Sequence, residues 1–358
     1  MCHDCPVTRK VDYSALLYPV DRAEISAFKN EQRASRGSRW SAPIRPQTIL
    51  FVAIAVALAV GILVLSSTSR EPGSNSANLS RLVAVVILAV IVLAVIAAGS
   101  SFGGKQWETM LRLSRFAAAN GLDYTPRSGD PHYPGSIFGK GESRETLNRL
   151  RATSGRALEI ANYQYLTGSG RNRRVHRWGY LAMRLDRRLP HMILDARANN
   201  AAFGVTNLPT SFTKNQVLSL EGDFDRYFTL YCPREYERDA LYVFTPDLMA
   251  LLIDNASVFD VEIVDDWMLV YSATPFAQAD PALYQRLFHI VDTVGAKTSS
   301  QSGRYVDDRI GAVAPNLVAP EGRRLRSGFS VGALAAFAIP LVLWFGFRFL
   351  NSSGFFGG

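Results

Sequence analysis

The chain has 358 residues, 48% of them hydrophobic and 20% charged, with a formal net charge of +8 and 3 cysteines. That length leaves room for about two domains. The cysteines are too few for a four-ligand zinc site without a second ligand pair, and the positive charge gathers beside long apolar runs, which favours topology and anionic lipid over nucleic acid.

Residues 1–46 form a basic lead expected on the cytoplasmic side, mostly irregular through "RASRGSRWSAPIRP". "AEISAFKNEQ" is a short helix at best, its apolar stripe being poor. Cys2 and Cys5 enclose His3 in "CHDC". With no other C-x-x-C and no H-x-x-x-H, this is an inert terminus to which no role is assigned.

Residues 49–65 and 82–98 contain no charge, and each approaches the roughly 20 apolar residues that cross a bilayer core. They predict transmembrane helices over 47–67 and 82–101, joined by a short external loop, 68–81. A third is expected over 328–350, where Pro340 is a tolerable kink and Trp344 and Arg348 suit an interfacial anchor.

Lys and Arg set the orientation. Eight precede the first run (Arg9, Lys10, Arg22, Lys29, Arg33, Arg36, Arg39 and Arg45), against Arg70 and Arg81 between the first two. Lys105, Arg112 and Arg115 follow the second, and Arg323, Arg324 and Arg326 precede the third. The expectation is a multi-pass inner (plasma) membrane protein with its N-terminus and a domain over 102–327 in the cytoplasm, and a tail, 351–358, outside. No cleavable signal peptide is visible.

Within 102–327, "KQWETMLRLSRFAAANG" has helical spacing and stops at Gly121. "DPHYPGSIFGKGES" is turn chemistry; three residues separate Gly135 from Gly139 where a phosphate loop needs four, and Gly141 occupies the magnesium-ligand position. Residues 157–166 and 176–186 read as a hairpin around "TGSGRN", with "HMILDA" a third strand. "QVLSL" and "RYFTLYC" follow as strands, then a helix begun by Thr245 and Pro246. "VFDVEIV" and "WMLVYS" are two more, and Asp265 and Asp266 between them mark a two-residue hairpin turn in place of a catalytic acid pair. A last amphipathic helix begins at Asp280 and Pro281 and ends at Gly295. The expected fold class is α+β, a mainly antiparallel sheet with flanking helices, plus the three transmembrane helices.

Two clusters could carry chemistry. Arg171, Arg173, Arg174, His176, Arg177 and Trp178 in "GRNRRVHRWGY" are a candidate contact for lipid phosphates or an acidic protein. Glu221, Asp223 and Asp225 in "EGDFD" could hold a divalent metal in a transferase-like enzyme, although no glycine-rich nucleotide loop accompanies them. His132, His176, His191 and His289 are scattered, no nucleophile elbow occurs, and Cys232 is a small packing residue. No catalytic residue, cofactor or resident metal is assigned.

Residues 224–271 carry Phe224, Phe228 and Tyr231 in an F-x3-F-x-L-Y strand, then Ala240, then Thr245, Pro246, Leu248 and Met249 in T-P-x-L-M. This pattern resembles a family of bacterial, chiefly actinobacterial, membrane proteins of unknown function. The resemblance implies a membrane-tethered α+β domain and brings no catalytic residues. The expected function is a binding or scaffold module for membrane lipids or a protein partner, without nucleic acid. The alternatives are the metal-dependent enzyme and, more weakly, a transporter accessory subunit.

Overall fold

The computed structural model describes residues 11–36, 105–200, 206–277, 279–310, 316–327, 344, 345 and 348. The chain divides into two compact units, one of residues 18–115 and one of residues 1–17 with 116–358. In the smaller, helix α2 (Arg22–Arg36) places Phe28 edge-on to Trp107, ring centres 6.3 Å apart, and Glu24 3.3 Å from Arg115.

The larger unit holds a 7-stranded sheet in which every described pairing is antiparallel: β1 (Leu122–Ser128), β2 (Glu142–Ala152), β3 (Leu158–Thr167), β4 (Arg174–Ala196), β5 (Val217–Leu218), β6 (Phe228–Tyr231) and β7 (Asp260–Ser272). The order runs β1-β2-β3-β4-β6-β5, with β7 also on β4. The first half of β4 lies between β3 and the end of β7, and its second half between β6 and the start of β7. A β4–β7 ribbon is therefore the spine, carrying a meander at one end and two short strands at the other. The α+β, antiparallel part of the expectation holds.

Among the described residues no helix is long and apolar enough to cross a membrane, which corrects the transmembrane part of the expected fold class. Helix α2, for one, has 15 residues, about 22 Å at 1.5 Å each and short of a hydrocarbon core of about 30 Å. The runs 47–67, 82–101 and 328–350 lie outside the described residues apart from Trp344, Phe345 and Arg348.

A second correction concerns the opening acids of the presumed hairpin. Asp265 and Asp266 are not at a turn, because β7 continues unbroken through them and pairs with β4 on both sides. Asp265 has φ +52° and sits at a register irregularity, matched in β4 between Arg184 and Leu189 and again before Met192. The two strands bend together there, as bulges make them do. "HRWGYLAMRLD" and "HMILDA" are accordingly one strand of 23 residues. Neither acid is left bare: Asp265 pairs with Arg324 at 2.9 Å and Asp266 with Arg184 at 2.8 Å.

Both faces of the ribbon are covered. On one, Gly295 packs against Met183 and Met268, in a π-helical turn (Val291–Gly295) between α6 (Pro281–Ile290) and α7 (Ala296–Arg304). The final helix thus runs through Gly295 where the sequence suggested a stop. Its start is as expected, with the Asp280 carboxylate accepting from Ala282 N at 3.0 Å. On the other face lies an aromatic core of Ile137, Phe138, Tyr163, Tyr165, Tyr180 and Tyr271. The connection between β1 and β2 reaches it through Gly135: an added Cβ would come well inside 3.0 Å of Tyr271 Oη and Leu269 Cδ1. Only a glycine lets the backbone approach so closely.

The motif that carries the family resemblance is packing. Phe224 and Phe228 stack 5.2 Å apart, and Ala240 and Leu248 are fully buried on α4 (Glu237–Val243) and α5 (Pro246–Ala256).

Candidate functional site

The β3–β4 hairpin forms as the sequence suggests, with pairs from Leu158–Met183 to Thr167–Arg174. Its turn needs Gly168 at φ +77°, where a Cβ would collide with Asn172 O, and a 3-10 turn over Gly170–Asn172 closes it. Strand alternation then sorts the candidate residues. His176 and Trp178 face the same side as their partners Tyr165 and Tyr163. Trp178 is buried in the aromatic core, and His176 stacks on Tyr165 at 4.8 Å with Nε2 2.8 Å from Thr167 Oγ1. These two are braces of the hairpin and are not presented to a partner.

Arg171, Arg173, Arg174 and Arg177 are all exposed, and none of their side chains forms an ion pair or a hydrogen bond among the described residues. Other described arginines divide: Arg127 pairs with Glu145, Arg144 with Asp130, Arg156 with Asp186 and Arg309 with Asp239 and Asp307, whereas Arg188, Arg226, Arg234 and Arg238 have no ion pair; what sets the tip apart is four such side chains within seven residues. The tip therefore concentrates uncompensated positive charge, each guanidinium offering a planar fork of donors that matches phosphate or carboxylate.

The acidic candidate does not assemble. Asp225 is turned inward to Ser219 Oγ and Leu220 N, fastening the 3-10 turn Phe224–Arg226, while Glu221 and Asp223 point to solvent. Among the described residues no three His, Cys, Asp or Glu side chains are grouped to hold a metal.

Sequence reasoning missed a buried polar centre where the ribbon, the Gly135 turn and the segment 316–327 meet. Glu262 is 1% exposed. Its Oε1 receives the Nε2 proton of His191 at 2.7 Å, and its Oε2 accepts from Ser136 N at 2.7 Å and Tyr271 Oη at 2.9 Å. His191 Nδ1 accepts from Leu325 N at 3.0 Å, which fixes the proton on Nε2. Burial works to raise the Glu262 pKa, but the hydrogen bonds from His191 and the Ser136 N–H outweigh it and hold the carboxyl below its ordinary range. Burial and the Glu262 charge push the Tyr271 phenol well upward, so it stays a donor. The centre ties three segments together. The available signal was Glu262 inside the alternating run "DVEIV", an acid at a core position.

A similar knot holds Asp307, 2% exposed, which accepts from Tyr236 Oη at 2.8 Å, Ala319 N at 3.0 Å and Arg309 N at 3.0 Å. Cys232 is buried, and its thiol is pushed up to about 12 by burial and the charges of Glu237 and Asp239.

No protein-family model and no curated protein matches the chain. Among solved structures, the mycobacterial trehalose monomycolate transport factor A is similar at a TM-score of 0.33 and 12% identity, over 52% of this chain and 96% of that one. A likeness at that score carries no argument about what this chain does.

Proposed function

We propose that the described domain is a binding module for an anionic surface, phospholipid headgroups in the first place, with Arg171, Arg173, Arg174 and Arg177 as its contact. The observation that carries this reading is the tip itself: four exposed guanidiniums without an ion pair, on a hairpin closed by Gly168 and braced by the stacked His176–Tyr165 pair. Three long apolar runs in the same sequence supply a reason to look to lipid before acidic protein.

Cosedimentation of the full chain with phosphatidylglycerol/phosphatidylcholine vesicles tests it, phosphatidylcholine alone being the control. Each basic side chain near an anionic membrane contributes about 1 kcal/mol, so Arg171→Gln with Arg174→Gln should weaken binding roughly 30-fold. Raising salt should weaken it as well, the Debye length falling from about 10 Å at 0.1 M to about 3 Å at 1 M. Equal binding by wild type and the double variant would defeat the proposal.

A further inference from the structure

Segment 316–327 is a strap fastened to β4 and its neighbours, and in sequence it runs straight into the third long apolar run. Asn316 Oδ1 accepts from Arg188 N at 3.0 Å, and Ala319 N donates to Asp307 Oδ2 at 3.0 Å. Leu325 N donates to His191 Nδ1 at 3.0 Å, and the Leu325 side chain packs in the aromatic core. Gln216, 4% exposed, takes both main-chain groups of Arg326: its Oε1 accepts from Arg326 N and its Nε2 donates to Arg326 O, each at 2.8 Å. The Arg324–Asp265 pair adds little, because it lies at the surface.

One of these anchors is an imidazole, the side chain whose ordinary titration falls between pH 5 and 8. Gln216 does not titrate. Burial raises the Asp307 pKa, but its hydrogen bonds outweigh this and leave it below the usual 3.8, so that anchor survives mild acid.

The geometry at His191, 6% exposed, defines where its proton sits. Nε2 gives a proton to Glu262 Oε1 at 2.7 Å, so Nδ1 is the bare acceptor that Leu325 N requires. A second proton has only Nδ1 to land on. It would set N–H against N–H and leave Leu325 N a buried donor without an acceptor, which carries the full desolvation cost of that group. The bond to Glu262 would meanwhile survive, now between opposite charges. Nothing else facing the ring offers Leu325 N a substitute. Tyr271 Oη and Ser136 N spend their protons on the second Glu262 oxygen, Phe212 meets the imidazole edge-on at 6.4 Å with Tyr231 behind it, and the charge of Arg324 is taken by Asp265.

We propose that His191 is a proton-operated latch on this strap: bare at Nδ1 it holds Leu325, and doubly protonated it keeps Glu262 and lets Leu325 go. Release would loosen the stretch of chain that joins the domain to the third apolar run. The latch is independent of the arginine tip and of the anionic-surface reading.

Amide exchange of the full chain, followed by mass spectrometry at pH 7.5 and pH 5 with times scaled for the slower intrinsic rate in acid, tests it. Protection over 319–327 should fall by about tenfold or more at pH 5, while β3 and β7 keep theirs. His191→Gln offers an amide donor to Glu262 and an amide oxygen to Leu325 N without a titrating group, so its strap should stay protected at both pH values. Equal protection of the wild-type strap at the two pH values would overturn the latch, as would a loss in His191→Gln as large as in the wild type. If His191→Gln does not fold, the wild type decides by location: loss confined to the strap and to 212–216 supports the latch, and loss spread through the sheet refutes it.

Discussion

Replacing Gly135 with alanine probes the clamp around Glu262 most directly. The new Cβ would come well inside 3.0 Å of Tyr271 Oη and Leu269 Cδ1, both on a buried strand that cannot yield. Restoring an ordinary contact of about 3.5 Å to the nearer of these, Tyr271 Oη, requires the turn to retreat by roughly 1.5 Å. The neighbouring Ser136 N–H sits 2.7 Å from Glu262 Oε2, and the same retreat carries it past hydrogen-bonding range. Overpacking costs about 1–3 kcal/mol, and a lost hydrogen bond to a charged group about 1.5–3 kcal/mol. The sum, roughly 2.5–6 kcal/mol, is a large part of the 5–15 kcal/mol that keeps a typical protein folded. Urea unfolding followed by tryptophan fluorescence measures it, since Trp267 lies 4.8 Å from Tyr133 in the same connection. Gly129→Ala is the control, because an added Cβ there meets nothing within 4 Å. It should stay within about 0.5 kcal/mol of wild type. A Gly135→Ala loss below about 1 kcal/mol would refute the close approach and with it the clamp.

Other outcomes follow from the same structure. Asp307→Asn should destabilise by about 2 kcal/mol or more at pH 7, since an amide cannot accept all the bonds made there by Tyr236, Ala319 and Arg309. Burial raises the Asp307 pKa, but those bonds outweigh it and leave the folded value below the usual 3.8. Its contribution is therefore present above pH 3.8 and lost as pH falls through the lower folded value, so wild type and Asp307→Asn should converge in stability in strong acid. Cys232, its thiol pushed up to about 12, should resist iodoacetamide at pH 8 in the native chain and react once urea unfolds it; prompt native labelling, read by mass spectrometry, would contradict its burial.

What the sequence made legible was local. The glycine turn of the β3–β4 hairpin, the Pro246 start of α5 and the Asp280 cap of α6 each announce themselves within a few residues, and each is there. The meander strands β1 and β2 were not legible: β2 reads "ESRETLNRLRA", with only Thr146 and Leu150 fully buried and two register irregularities, so no alternation survives. Asp265 and Asp266 misled because a bulge and a hairpin turn look alike on one strand; the distinguishing fact is the matching interruption "DRRLP" 80 residues away. The acid of the buried clamp was hidden for a related reason. Glu262 sits in an apolar run that the eye assigns wholesale to the core, and its partners His191 and Ser136 come from distant segments. The arginine tip was visible, though His176 and Trp178 belong to its support and not to its contact surface.

The bend in the β4–β7 ribbon has a consequence for how the domain meets charged matter. A straight strand of 23 residues would stretch about 75 Å, well beyond the width of a domain this size, so the corner folds one continuous strand back within the body. Its first residues, Arg174 and Arg177, stand exposed at the hairpin tip, while its last, Ile193 to Ala196, are buried between β6 and the start of β7. The charged tip is thus the outer end of a strand whose inner end is fixed in the core, so whatever loads the tip loads the sheet through one unbroken backbone.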